Sequence, residues 1–126
     1  MVGIAEASLY VANMLAARWS VITTLHRVRD MVEKTVQKTG LTARCASIRT
    51  TSLSVLETEH NRTATLEILT AASQRAIQDD GAEAICLGCA GMSGLEQQLE
   101  ERLGVPVIDA VAAAVKMAES LVSLGK

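Results

Sequence analysis

Residues 85–92 read Ile85-Cys86-Leu87-Gly88-Cys89-Ala90-Gly91-Met92. A short apolar run ends in a cysteine held in a turn of small residues, and a helical pattern follows. In open α/β folds the carboxyl end of a parallel strand is where ligands are bound. A thiol at the start of a helix also feels the positive end of the helix dipole, which favours the thiolate. Cys89 is therefore the candidate reactive group. The turn Cys89-Ala90-Gly91-Met92-Ser93-Gly94 carries two glycines, which let backbone approach a ligand closely. Amides at the helix start suit a carboxylate or an imide oxygen. An ordinary strand-to-helix turn has the same local pattern.

Outward from this stretch, apolar residues at helical spacing predict a helix over residues 3–17, with Ile4, Ala7, Leu9, Val11, Met14 and Leu15 as its apolar positions. Trp19-Ser20-Val21-Ile22-Thr23-Thr24 is β-rich and reads as a strand. Residues 27–38 place Val28, Met31, Val32 and Val36 on one helical face, closed by Gly40. A second strand is predicted over 44–49, a polar loop with a short helical piece over 50–61, and a long helix over 62–80 ending near Gly81. A strand over 84–87, a helix over 94–103 stopped by Gly104, a strand over 106–108 and a helix over 111–124 complete the chain. Strand and helix alternate four times, the pattern of βαβ units. The fold class is α/β, a parallel four-stranded sheet flanked by helices on both faces. One echo runs through it. Val2-Gly3-Ile4-Ala5-Glu6-Ala7-Ser8 is similar to Ile108-Asp109-Ala110-Val111-Ala112-Ala113-Ala114, and both lead into amphipathic helices. Chance likeness of two Ala-rich helices is the competing reading. A doubly wound domain usually starts with a strand, so a helix at residue 3 is read as a sign of an absent upstream part.

A chain of 126 residues is one domain by size and buries roughly two-thirds of its unfolded surface. Hydrophobic residues make up 49% of it but aromatics only 2%, with no Phe, so the core is aliphatic. Scarce aromatics leave no stacking platforms for bases, and a net charge of -2 gives no basic field for a phosphate backbone; nucleic acid is not an expected partner. No apolar run approaches the roughly 18 residues of a membrane span, and no signal-peptide pattern opens the chain. Three cysteines and no export signal point to a reduced, cytoplasmic protein.

Other candidate groups are weaker. Cys86 and Cys89 match C-x-x-C, but alternation within the strand buries Cys86 as a small hydrophobe, and no second Cys or His pair supports zinc. Cys45 reads as packing. Thr23 and Thr24 close the first strand at the same carboxyl edge as Cys89, where hydroxyls and amides suit a polar substrate. His26 follows as a solvated residue or a base, and His60 has no identifiable partner. The scattered glutamates, Glu96, Glu100 and Glu101 among them, read mostly as solvated surface.

Leu87-Gly88-Cys89-Ala90-Gly91-Met92, Leu103-Gly104-Val105-Pro106-Val107-Ile108-Asp109 and Ala112-Ala113-Ala114-Val115-Lys116 resemble the C-terminal half of hydantoin and allantoin racemases, in the aspartate/glutamate racemase superfamily. Gly3-Ile4-Ala5-Glu6-Ala7, Ser20-Val21-Ile22-Thr23-Thr24 and Arg44-Cys45-Ala46-Ser47-Ile48-Arg49 agree with it. The resemblance implies one lobe of a two-lobed, cofactor-independent racemase, with residues 1–126 as a single α/β lobe and the N-terminal lobe absent. In that family each lobe offers one cysteine to opposite faces of the substrate α-carbon. Cys89 matches the second of these. Thr23 and Thr24 match the pocket edge, and backbone donors at Ala90 and Gly91 would bind substrate. None of Cys45, Cys86 and Cys89 matches the first cysteine. The implied partners are a small-molecule substrate and further copies of the chain, with no nucleic acid and no membrane. Two other readings stand beside this one: a non-catalytic binding or remnant domain, and a thiol-redox module using Cys86 and Cys89.

Overall fold

Four extended stretches carry the sheet in the computed structural model, which describes residues 4–23, 29–51, 62–87 and 95–125. They are β1 (Trp19–Thr23), β2 (Cys45–Thr50), β3 (Ile85–Leu87) and β4 (Val107–Asp109). All pairs are parallel, in the order β2-β1-β3-β4. Among the described residues five α-helices accompany them: α1 (Ile4–Leu15), α2 (Arg29–Thr39), α3 (Arg62–Asp80), α4 (Glu96–Leu103) and α5 (Ala110–Ser123). A 3-10 turn, Thr42–Arg44, leads into β2. The parallel four-stranded α/β sheet expected from the sequence is thus present, with element ends shifted by a residue or two. The predicted loop over 50–61 lies almost wholly outside the described residues. No helix among the described residues is long and apolar enough to cross a membrane.

Parallel strands need crossover connections, so helices cover both faces and strand residues sort by alternation. On one face Trp19, Val21, Ile48, Cys86 and Ile108 share a core with Ala7, Leu9 and Ala12 of α1, Val36 of α2 and Ala113 of α5. On the other, Ile22, Ile85, Leu87 and Val107 share a core with Leu66, Leu69 and Ala76 of α3 and Leu99 of α4. The core is aliphatic apart from Trp19, which is fully buried with its Nε1–H unpartnered among the described residues. Gly104 ends α4 at φ 74, donating its N–H to the Glu100 carbonyl, as a left-handed cap does.

Three apolar residues expected on helix faces lie outside. Met14, Leu15 and Met31 are 74%, 58% and 68% exposed. The residues α1 buries are Ala7, Ser8, Leu9 and Ala12, mostly small ones that let the helix approach the sheet closely. Met14 falls on its far side. Glu100, read as surface, has a backbone partner: its Oε1 accepts the Val107 N–H at 2.9 Å and so satisfies the edge strand β4.

A polar chain ties β1, β2 and α3 together. Between Trp19 and Ser20 the β1–β2 register shifts, so Trp19 pairs with Cys45 while Ser20 pairs with Ser47. This bulge at Ala46 sets the Ser20 and Ser47 hydroxyls 2.8 Å apart. Ser47 Oγ donates to Asp80 Oδ2 at 2.6 Å, which leaves Ser20 as the donor to Ser47. Arg49 grips the same carboxylate with Nε at 2.6 Å and Nη2 at 3.1 Å. Asp80 stands at the C-terminus of α3, where the dipole opposes a negative charge, and the bidentate guanidinium offsets that. The Arg49 and Ser47 hydrogen bonds hold the Asp80 carboxyl below its ordinary range.

A lowered folded-state pKa gives stability that is present above the unfolded value and lost as pH falls through the folded one. Arg49→Ala should therefore cost about 1 kcal/mol at pH 7. The gap between variant and wild type should narrow below about pH 4, where carboxylates protonate. Urea midpoints at pH 7 and pH 3 measure this; a gap independent of pH would show that the pair contributes by packing alone.

Candidate functional site

In sheet order the strands end at Thr50, Thr23, Leu87 and Asp109. The chain leaves β1 for β2, then returns past β1 to β3. Helix α2 lies on one face of the sheet and α3 on the other. The direction of winding therefore reverses between β1 and β3, the topological switch point at which open α/β sheets bind ligands. Ile22 and Leu87 are register partners across it, so Thr23 stands one residue beyond that pair.

Thr23 is fully buried and its Oγ1 has no hydrogen-bond partner among the described residues. Its carbonyl is occupied, accepting from the Thr51 N–H at 2.9 Å and the Thr51 hydroxyl at 3.4 Å. The sequence reading places Thr51 in a polar loop; the repeated Thr-Thr pairs, 23–24 and 50–51, are the signal that could have found it. Asp109, at the end of β4, serves the fold directly, since its Oδ2 accepts the Ala112 N–H at 3.0 Å and caps α5.

Of the site residues expected from the sequence, the structure brings Thr23 to the switch point. Thr24, Cys89, Ala90 and Gly91 lie outside the described residues, as does His26. The two described cysteines lack thiolate character. Cys86 is fully buried, its thiol donating to the Ser8 carbonyl at 3.7 Å, and burial pushes its pKa up. Cys45 is half-buried; burial raises its thiol too, against the opposing hydrogen bond to Ser47 and the charge of Arg18. A dithiol exchange through Cys86 would require a thiolate in that dry core, which disfavours the redox reading. Among the described residues no three His, Cys, Asp or Glu side chains gather as metal ligands.

A buried hydroxyl without a partner costs free energy, and valine has nearly the same shape without it. Thr23→Val should stabilise the isolated chain by about 1 kcal/mol, read from urea unfolding followed by circular dichroism. A loss of stability would show that the hydroxyl is satisfied in solution.

The profile of the family described as Asp/Glu/Hydantoin racemase matches residues 1–118. The chain is 52% identical over its 126 residues to the hydantoin racemase of Pseudomonas sp. (strain NS671), covering all of this chain and 51% of that protein. It is 47% identical over 125 residues to the hydantoin racemase of Paenarthrobacter aurescens, covering 99% of this chain and 53% of that one. Its fold superposes on an allantoin racemase from Pseudomonas fluorescens with a TM-score of 0.95 and 47% identity, covering 98% of this chain and 53% of the other. The chain thus spans about half the length of the relatives it matches. A family profile matched along nearly the whole chain, on a sheet with the same architecture, makes this chain a member of the Asp/Glu/hydantoin racemase family.

Proposed function

We propose that the chain supplies one cysteine-bearing half of a cytoplasmic, cofactor-independent racemase site for hydantoins, allantoin or related amino-acid derivatives. The observation that carries this reading is the 52% identity to a hydantoin racemase along the entire chain. Cys89 is the proton-transfer group, tethered two residues beyond the end of β3. Thr23, Thr24 and the amides of Ala90 and Gly91 bind the substrate. The buried, unpartnered Thr23 hydroxyl at the switch point supports its part in this.

The chemistry is a proton transfer. The Cys89 thiolate takes the proton from the substrate α-carbon, and the electron pair left behind delocalises onto the adjacent carbonyl oxygen. Backbone N–H groups stabilise that oxyanion. The proton then returns to carbon from the thiol. Inversion needs a second acid on the opposite face. A single cysteine returns the proton to the face from which it came, after its S–H has exchanged with solvent. A second copy related by a two-fold axis supplies the opposing thiol only if the two Cys89 residues face one substrate.

The experiment is to incubate one enantiomer of a 5-substituted hydantoin with the chain in D2O. Deuterium at C5 is followed by NMR and enantiomeric purity by chiral chromatography. Deuterium uptake above the buffer rate, without matching inversion, is expected; it should be lost in Cys89→Ser and lowered in Thr23→Val. Inversion that keeps pace with exchange and rises steeply with protein concentration would assign the opposing thiol to a second copy. Exchange no faster than buffer would favour the second reading, a non-catalytic lobe.

A further inference from the structure

The backbone of β1 turns its hydrogen bonds to one neighbour and then the other. The Ser20 N–H faces β3 and donates to the Ala84 carbonyl at 3.0 Å. The Thr23 carbonyl faces the other way, towards β2, where the Thr51 N–H reaches it at 2.9 Å. Such alternation belongs to any strand held between two parallel neighbours. The Thr51 hydroxyl adds a longer contact to the same oxygen, at 3.4 Å. A backbone carbonyl has two lone pairs, and here one residue supplies a donor to each. The Thr23 carbonyl is thus committed to the sheet and closed to a ligand.

Thr51 stands just past the end of β2, next to Thr50, the register partner of Thr23. On the other side of β1, the pairing with β3 ends one residue earlier, at Ile22 and Leu87. At the level of Thr23, β1 is therefore held from the β2 side at a point where its ladder with β3 has stopped. A trans peptide unit is planar, and its N–H points away from its C=O. Whatever fixes a carbonyl also fixes the direction of the amide on the far edge of the same plane.

We propose that Thr51 is a positioning residue for substrate. It clamps the Thr23 carbonyl from β2 and so aims the amide on the opposite edge of that peptide at the switch point, where it donates to a carbonyl oxygen of the hydantoin ring. The assignment rests on the substrate-binding role proposed above for this edge, not on proton transfer by Cys89. The two donors of Thr51 contribute unequally. Its N–H makes the shorter bond, and its hydroxyl resists rotation of the peptide plane about that bond. Valine at this position keeps the N–H alone. Proline keeps neither donor, and the extended backbone it asks of the preceding residue is the one Thr50 already has in β2.

The test is an NMR titration of the 15N-labelled chain with 5-methylhydantoin, for the wild type and for Thr51→Ser, Thr51→Val and Thr51→Pro. Serine retains both donors, so Thr51→Ser should bind within about twofold of wild type. Thr51→Val should bind about threefold more weakly and Thr51→Pro about tenfold, the scale of one hydrogen bond. The amide resonance that follows Thr23 should move on titration of the wild type. Arg49→Ala is the control, since it loosens β2 from α3 without touching the Thr23 carbonyl. It should lower the urea midpoint and leave the affinity unchanged, a separation that a merely structural role for Thr51 would not produce. Wild-type affinity in a folded Thr51→Pro chain would overturn the proposal. If that variant does not fold, Thr51→Val decides, and an affinity equal to that of Thr51→Ser would overturn it. An equal loss in Arg49→Ala and Thr51→Val would also do so, reducing Thr51 to general support of β2. Binding that follows the Thr51 series without deuterium exchange at C5 would uphold the role of Thr51 and refute proton transfer by Cys89. No measurable binding by the wild type would overturn both.

Discussion

Every residue of β1 is buried, and two of its five, Ser20 and Thr23, carry hydroxyls. A central parallel strand has no solvent to satisfy such groups, so each must find a partner in the protein or remain open. Ser20 finds one through the bulge that aligns it with Ser47, and the relay continues to Asp80 and Arg49. That relay pins the edge strand and the end of the longest helix to the middle of the sheet. Thr23, three residues on, has none among the described residues. One end of the strand is thereby closed by the fold, and the other is left with hydrogen-bonding capacity where the winding reverses.

The architecture is legible in the sequence because its signals are local. Glycines stop α2, α3 and α4 close to where the sequence places them, and period-two alternation puts Cys86 inside. The relay is not legible. Ser47, Arg49 and Asp80 are brought together by a register shift that leaves no local mark and by the packing of α3 beside β2, although the end of α3 at Gly81 is itself legible. The faces of α1 and α2 depart from the sequence pattern for a related reason. Met14 and Met31 fit a helical stripe, but small residues take the sheet-facing side of α1 because close approach buries more than bulk does. Of the site, Thr23 is visible both in the pattern and in the fold. The reading of Cys89, Ala90, Gly91 and Thr24 rests on the motif and on family membership.

Sheet order decides which edge of the lobe suits a ligand. The order β2-β1-β3-β4 reverses the winding between β1 and β3, and open α/β sheets bind ligands outside the carboxyl ends of the strands at such a point.

The aliphatic core has one further consequence. Trp19 is the single tryptophan of the chain, and it is sealed between the sheet and the helices on the α1 side. Its emission reports on one place only, the seat of β1 beneath its covering helices. An indole in so dry a setting fluoresces towards the blue and shifts red when water reaches it. The protein therefore carries a built-in optical gauge of whether that layer is closed, undiluted by any other indole and with a lone tyrosine, Tyr10, beside it in the spectrum.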